Sequence, residues 1–89
     1  MTGWVDWNIV LDTEGGPNWV GNYIDAAVIA NATADEFYKQ PLFYSMAHFS
    51  KFVPPGSRRI EYRISNDSFV ECVAFVTPER NVVVVLQNR

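Results

Sequence analysis

Eighty-nine residues, 48% of them hydrophobic and 15% aromatic, carry a formal net charge of −3 at neutral pH. The acidic balance, with Arg58-Arg59 the one basic pair, excludes the basic stripe that nucleic-acid binding demands. No apolar run reaches the roughly 18 residues of a membrane-spanning helix, and the sole cysteine, Cys72, excludes an internal disulfide.

Taken in chain order, Gly3 to Leu11 alternates like one strand, with Val5, Trp7, Ile9 and Leu11 on one side and Trp4, Asp6, Asn8 and Val10 on the other. A long loop follows to about Asp25, opened by the turn-rich Asp12-Thr13-Glu14-Gly15-Gly16-Pro17-Asn18. Ala26 to Ala30 is a short apolar piece, strand or extended. Thr33 or Asp35 can cap what comes next. Asp35 to Gln40 makes at most a short turn, and Pro41 fits the first turn of a helix. From Leu42 to Val53 the apolar residues Leu42, Phe43, Met46, Phe49, Phe52 and Val53 keep helical spacing.

Pro54-Pro55-Gly56 stops that helix and marks the domain boundary, dividing 1–54 from 55–89. The remainder reads as an antiparallel meander: a strand from Ser57 to Ser65, a turn at Asn66-Asp67-Ser68, a strand from Phe69 to Thr77, a turn at Pro78 to Asn81, and a strand from Val82 to Leu86. Val82 to Leu86 is apolar on both faces, which predicts cover on both sides, as in a sandwich. Cys72 lies in an apolar run and reads as a buried structural thiol.

The chemistry concentrates between Gly3 and Asp25, where all three tryptophans share a short stretch with Asp6, Asp12, Glu14 and Asp25. Flat aromatic faces beside carboxylates and amides suit a sugar: the rings cover its C–H faces and the polar groups bind its hydroxyls. Retaining glycosidases use two carboxyl groups roughly 5–5.5 Å apart, and the residues alone leave open a pair among those four. Glu14 reads as a loop-organising group. Trp7 by itself reads as a core aromatic, and Trp4 and Trp19 as packing residues. His48 has no companions for a metal site and reads as a helix-surface residue. Asn31-Ala32-Thr33 and Asn66-Asp67-Ser68 are glycosylation sequons.

Gly3-Trp4-x-Asp6-Trp7-Asn8, Glu14-Gly15-Gly16-Pro17-Asn18-Trp19-Val20, Phe37-Tyr38-Lys39-Gln40-Pro41 and His48-Phe49-Ser50-Lys51-Phe52 follow one another in an order that closely resembles the C-terminal part of animal glucosylceramidases. These are acid β-glucosidases of glycoside hydrolase family 30. The resemblance runs from Gly3 to Arg89 and implies an α+β fragment: residues 1–54 would be the last strand, loop and helix of a (β/α)8 TIM barrel, and residues 55–89 part of a β-sandwich. Barrel enzymes carry their chemistry on the loops after the strand C-termini, which is where Asp12 to Asp25 would lie.

The resemblance also implies roles. The matching tryptophan lines the glucose pocket, so Trp7 becomes a substrate-binding residue near the C-terminal end of its strand. Asn22 and Tyr23 match an asparagine–aromatic pair at the pocket mouth, where Tyr23 departs from the family's usual phenylalanine. Asp6, beside Trp7, is a further candidate, able instead to bond backbone or an arginine. The family's two catalytic glutamates sit on earlier barrel strands, so no catalytic residue is assigned here, and an isolated fragment would be inactive. Family members need no metal or organic cofactor. They act on the glycolipid glucosylceramide in the lysosome, aided by anionic lipid and a saposin-type activator. The start Met1-Thr2-Gly3-Trp4 does not read as the signal peptide of such a protein.

Two other classes fit the same residues. A free-standing carbohydrate-binding module would use Trp7, Trp19 and Tyr23 as a platform. A β-rich interaction domain would use Val82 to Leu86 as a pairing edge.

Overall fold

The computed structural model describes residues 2–65 and 69–88. The elements are β1 (Val10–Asp12), β2 (Val28–Asn31), β3 (Glu36–Lys39), α1 (Pro41–Ser50), β4 (Arg58–Ile60), β5 (Val70–Val76) and β6 (Val82–Asn88). They form two compact units that divide between Ser45 and Met46, within α1. The turn expected at Asn66-Asp67-Ser68, and with it the sequon at Asn66, lies outside the described residues.

In the first unit the sheet order is β1-β2-β3. β1 runs parallel to β2, with Leu11 opposite Ile29, and β2 pairs antiparallel with β3, with Ile29 opposite Tyr38. Two main-chain bonds extend the ladders: the Val28 N–H donates to the Ile9 carbonyl at 3.1 Å and the Gln40 N–H to the Ala27 carbonyl at 2.9 Å. Leu11 and Ala26 are the buried apolar residues here.

Two expectations for this unit fail. Gly3 to Leu11 is not one strand, because only Val10–Asp12 has a partner, and a strand is held by its ladder rather than by its side-chain alternation. Trp4, Val5, Trp7 and Ile9 are exposed instead. Asp35 to Gln40 is more than a turn: Glu36 to Lys39 pairs with β2, and Asp35 takes a positive φ of 54° that reverses the chain between the two strands. The Phe-Tyr pair in that segment favours strand over turn.

The helix starts at Pro41, a position where the missing N–H costs nothing. The Phe43 N–H donates to the Gln40 carbonyl at 2.9 Å. Lys51 and Val53 continue the helical bonding past Ser50, donating to the Ala47 and Phe49 carbonyls. Gly56, at φ 85°, then turns the chain ahead of β4.

The second unit is the antiparallel meander β4-β5-β6 that the sequence predicts. Its first strand is shorter than Ser57 to Ser65, since pairing with β5 ends at Ile60–Ala74. Arg58 and Arg59 are exposed on it. The β5–β6 turn is closed by Thr77, itself buried: its N–H donates to the Asn81 carbonyl at 2.8 Å and its Oγ1 accepts from the Asn81 N–H at 3.1 Å. Phe49 meets Phe75 edge to face, with centroids 6.5 Å apart. Cys72 is half-buried rather than buried.

β6 is not covered on both sides. Val83 and Val85 are half-buried while Val82, Val84 and Leu86, on the strand's opposite face, are exposed.

Little of the apolar content is therefore out of water. The accessible surface is 7936 Å², against about 5,300 Å² for a compact monomer of this mass. In dilute buffer the 89-residue chain is expected to bind a hydrophobic dye and to associate as its concentration rises. A monodisperse monomer that unfolds cooperatively and leaves the dye dark would contradict this.

Candidate functional site

The loop leaving the C-terminal end of β1 is organised by three side chains. Asp12, the last residue of the strand, places Oδ1 where it accepts from the Glu14 N–H at 2.9 Å and the Gly16 N–H at 2.8 Å. The main chain closes the same turn: the Asp12 N–H donates to the Gly16 carbonyl at 2.7 Å, and the Gly15 N–H to the Asp12 carbonyl at 3.1 Å. Gly15 has φ 83°, and a Cβ there would sit 2.6 Å from the Ile24 carbonyl oxygen. This position therefore excludes a side chain twice over, by conformation and by the close approach of the loop's far end. A cis peptide bond joins Gly16 to Pro17.

Asn18 organises the second half. Its Oδ1 accepts from the Val20 N–H at 2.9 Å and the Asn22 N–H at 3.1 Å, and its Nδ2 donates to the Asn22 carbonyl. Asp25 ends the loop: its Oδ1 accepts from the Ala26 N–H and from Gln40 Nε2, both at 2.9 Å. Gln40 immediately precedes α1, so the loop end is tied to the start of the helix.

Asn22 and Tyr23 lie on this loop, both exposed, Tyr23 at 62%. Trp7 does not stand near the C-terminal end of a strand as expected. It precedes β1 by three residues and is 80% exposed. Trp7 thus comes before β1 in the chain and the Asn22–Tyr23 pair after it. Asp6 Oδ1 accepts from the Trp7 N–H at 2.8 Å. The organising carboxylate of the loop is Asp12, not Glu14, which contributes only its main-chain N–H and is exposed. Trp4 and Trp19 do not pack within the described residues; Trp19 is fully exposed.

The four acidic residues near the strand are thus mostly engaged with backbone, Asp6, Asp12 and Asp25 each accepting from main-chain N–H groups. Among the described residues, no group of three or more His, Cys, Asp or Glu side chains could hold a metal ion, and no helix is long and apolar enough to cross a membrane. His48 is exposed in the last turn of α1. Asn31 ends β2; its Nδ2 donates to the Tyr38 hydroxyl at 3.1 Å and its Oδ1 accepts from the Ala34 N–H at 3.2 Å. Asp12 and Asn18 escaped the sequence reading as organisers. The available signal was the habit of Asp and Asn side chains of capping turns beside glycine.

Residues 1–53 match the glycosyl hydrolase family 30 TIM-barrel domain, and residues 56–89 match the glycosyl hydrolase family 30 β-sandwich domain. Over 89 residues the chain is 49% identical to the lysosomal acid glucosylceramidase of Mus musculus, a match that covers 100% of this chain and 17% of that protein. Putative glucosylceramidase 1 of Caenorhabditis elegans is 47% identical over 90 residues, with the same two coverages. Among solved structures, SrfJ from Salmonella typhimurium matches with a TM-score of 0.86 and 36% identity, over 94% of this chain and 19% of that one. The endo-β1,6-glucanase BT3312 matches with a TM-score of 0.85 and 31% identity, over 93% and 19%. The chain spans 17% of the length of these two curated relatives. With α1 and the β4-β5-β6 meander, these matches bear out the expected fold, the end of a (β/α)8 barrel followed by antiparallel sandwich strands.

The turn at the end of β1 makes a direct prediction. Asp12→Ala removes two acceptor contacts of about 1 kcal/mol each, so amide exchange at Glu14 and Gly16 should quicken by about tenfold or more, while Asp12→Asn, which retains an Oδ1 acceptor, leaves it nearly unchanged. Gly15→Ala should quicken exchange as Asp12→Ala does. Equal exchange in all four proteins, measured by NMR or mass spectrometry, would show that the carboxylate does not hold the turn.

Proposed function

The chain belongs to glycosyl hydrolase family 30, and on that premise we propose that it is one part of a retaining β-glucosidase that hydrolyses glucosylceramide to glucose and ceramide. The reading is supported above all by the identity to mouse lysosomal acid glucosylceramidase along the whole chain. It is supported structurally by a loop at the C-terminal end of β1 whose backbone is pinned by Asp12 and Asn18 while Asn22 and Tyr23 stay exposed. In this reading residues 1–54 complete a barrel and residues 55–89 contribute to its sandwich.

The chemistry follows the retaining scheme. A glutamate carboxylate attacks the anomeric carbon while a second glutamic acid protonates the departing ceramide oxygen; water, deprotonated by that second group, then releases glucose with its configuration retained. Both glutamates lie outside this chain, and no step uses a metal or organic cofactor. This chain supplies a pocket wall. The Trp7 indole covers the C–H face of the glucose ring. The Asn22 amide both donates to and accepts from its hydroxyls, and the Tyr23 hydroxyl adds a polar contact where phenylalanine is usual. Asp6 fixes the backbone at Trp7. The parent would travel the secretory route to the lysosome, carry a glycan at Asn31, and meet its glycolipid at an anionic lipid surface with a saposin-type activator.

The test is an exchange enzyme: the mouse protein with its matching segment replaced by these 89 residues. It should hydrolyse a fluorogenic β-glucoside. Trp7→Ala and Asn22→Ala should each lower kcat/KM about 10- to 100-fold, the loss of roughly 1.4–2.7 kcal/mol of contact with the sugar. The isolated 89-residue chain should give no turnover. The proposal falls if both variants match the unsubstituted exchange enzyme. It falls equally if the isolated chain turns over substrate and loses that activity on Glu14→Gln.

A further inference from the structure

We infer that Asn18 is a positioning residue for the sugar site: it touches no substrate itself but sets the backbone that carries Asn22 and Tyr23. This rests on the pocket role proposed for that pair and assigns the residue on which it depends.

A primary amide has an acceptor and a donor side by side. Asn18 uses both on the same residue: Oδ1 accepts from the Asn22 N–H and Nδ2 donates to the Asn22 carbonyl. This is the pattern by which one strand residue grips its neighbour on an adjoining strand, here made by a side chain four residues away. The same Oδ1 also accepts from the Val20 N–H, so the intervening segment is fixed at its middle and its end. Gly21 lies within it at φ 71°, with open space where a Cβ would be.

No other side chain among the described residues hydrogen-bonds the segment from Asn18 to Asn22. Trp19 and Val20 are exposed at 102% and 83%, so packing does not hold the tip. The Asp12 turn ends at Gly16 and the Asp25 contacts begin at Ala26. Between those anchors the side-chain hydrogen bonds among the described residues all come from Asn18. Asn18 spends its amide on the main chain of Asn22, so the Asn22 side chain is set by a backbone held on both its N–H and its C=O.

The amide is also the chemistry required. Asn18→Asp preserves shape and the two acceptor contacts but turns the Nδ2 donation into an oxygen facing the Asn22 carbonyl. Asn18→Ala removes all three bonds. Neither change alters a group proposed to contact the sugar.

The experiment is a double-mutant cycle in the exchange enzyme, using a fluorogenic β-glucoside and a glucose-configured inhibitor. Asn18→Ala and Asn18→Asp should each raise KM and the inhibition constant about five- to tenfold, with kcat changed less than twofold and the melting temperature nearly unmoved. Because Asn18 acts chiefly through Asn22, adding Asn18→Ala to Asn22→Ala should cost much less than Asn18→Ala costs alone, the remainder passing through Tyr23. Multiplying effects, with Asn22→Ala impaired, would overturn this inference while leaving the pocket role of Asn22 intact. A loss in Asn18→Ala that appears only as a lowered melting temperature would overturn it in the same way. If Asn22→Ala alone has no effect on KM, both the pocket role and the positioning role fall together.

Discussion

The strand-exit turn at Asp12 is the constraint on which the rest of the first unit depends. A short parallel strand of three residues has little ladder to hold it, and the chain beyond must reverse and return to begin β2. One carboxylate oxygen, taking two N–H groups, fixes that reversal. A glycine then admits the Ile24 carbonyl at a distance that no Cβ would allow, so the two ends of the loop meet backbone to backbone. Asn18 and Asp25 repeat the device further along. The loop is shaped by side chains bonding to main chain, which leaves its aromatic groups outward.

That division of labour explains the composition. A chain this rich in tryptophan, phenylalanine and valine would ordinarily bury them, yet Leu11, Ala26 and Ala74 are the buried apolar residues among those described. At about 25 cal/mol per Å², the exposed apolar surface is free energy left unrealised by this chain alone. The exposed faces are of two kinds. On β6 the alternate residues Val82, Val84 and Leu86 form a regular face. On either side of β1 in the chain the exposed groups are Trp7, Trp19 and Tyr23.

The sequence made some of this legible and hid the rest for identifiable reasons. The meander of β5 and β6, the Pro78 to Asn81 turn and the start of α1 at Pro41 were readable, because local chemistry and spacing decide them. Gly3 to Leu11 alternates like a strand yet pairs only at Val10–Asp12, because alternation reports which side chains could share a face, while pairing depends on whether another strand is present. β3 is hidden in the sequence for the converse reason: Asp35 to Gln40 is too short to show a period, and its pairing with β2 is set by tertiary contact. The site residues were named by family resemblance, and Asn22 and Tyr23 do fall on the loop leaving β1. Trp7 falls ahead of that strand instead, and the organisers Asp12 and Asn18 do not stand out in the sequence because their role is to hold backbone, which leaves no mark in hydrophobic patterning.

The central claim is that the Trp7 indole and the Asn22 amide address one hexose. A crystal structure of the exchange enzyme with a glucose-configured inhibitor tests it most directly. The account predicts the indole face stacked on the ring at van der Waals distance, about 3.5–4 Å, with the Asn22 amide about 3 Å from one of the same ring's hydroxyls. A bound sugar that touches neither group, or only one while the other faces away, would contradict it.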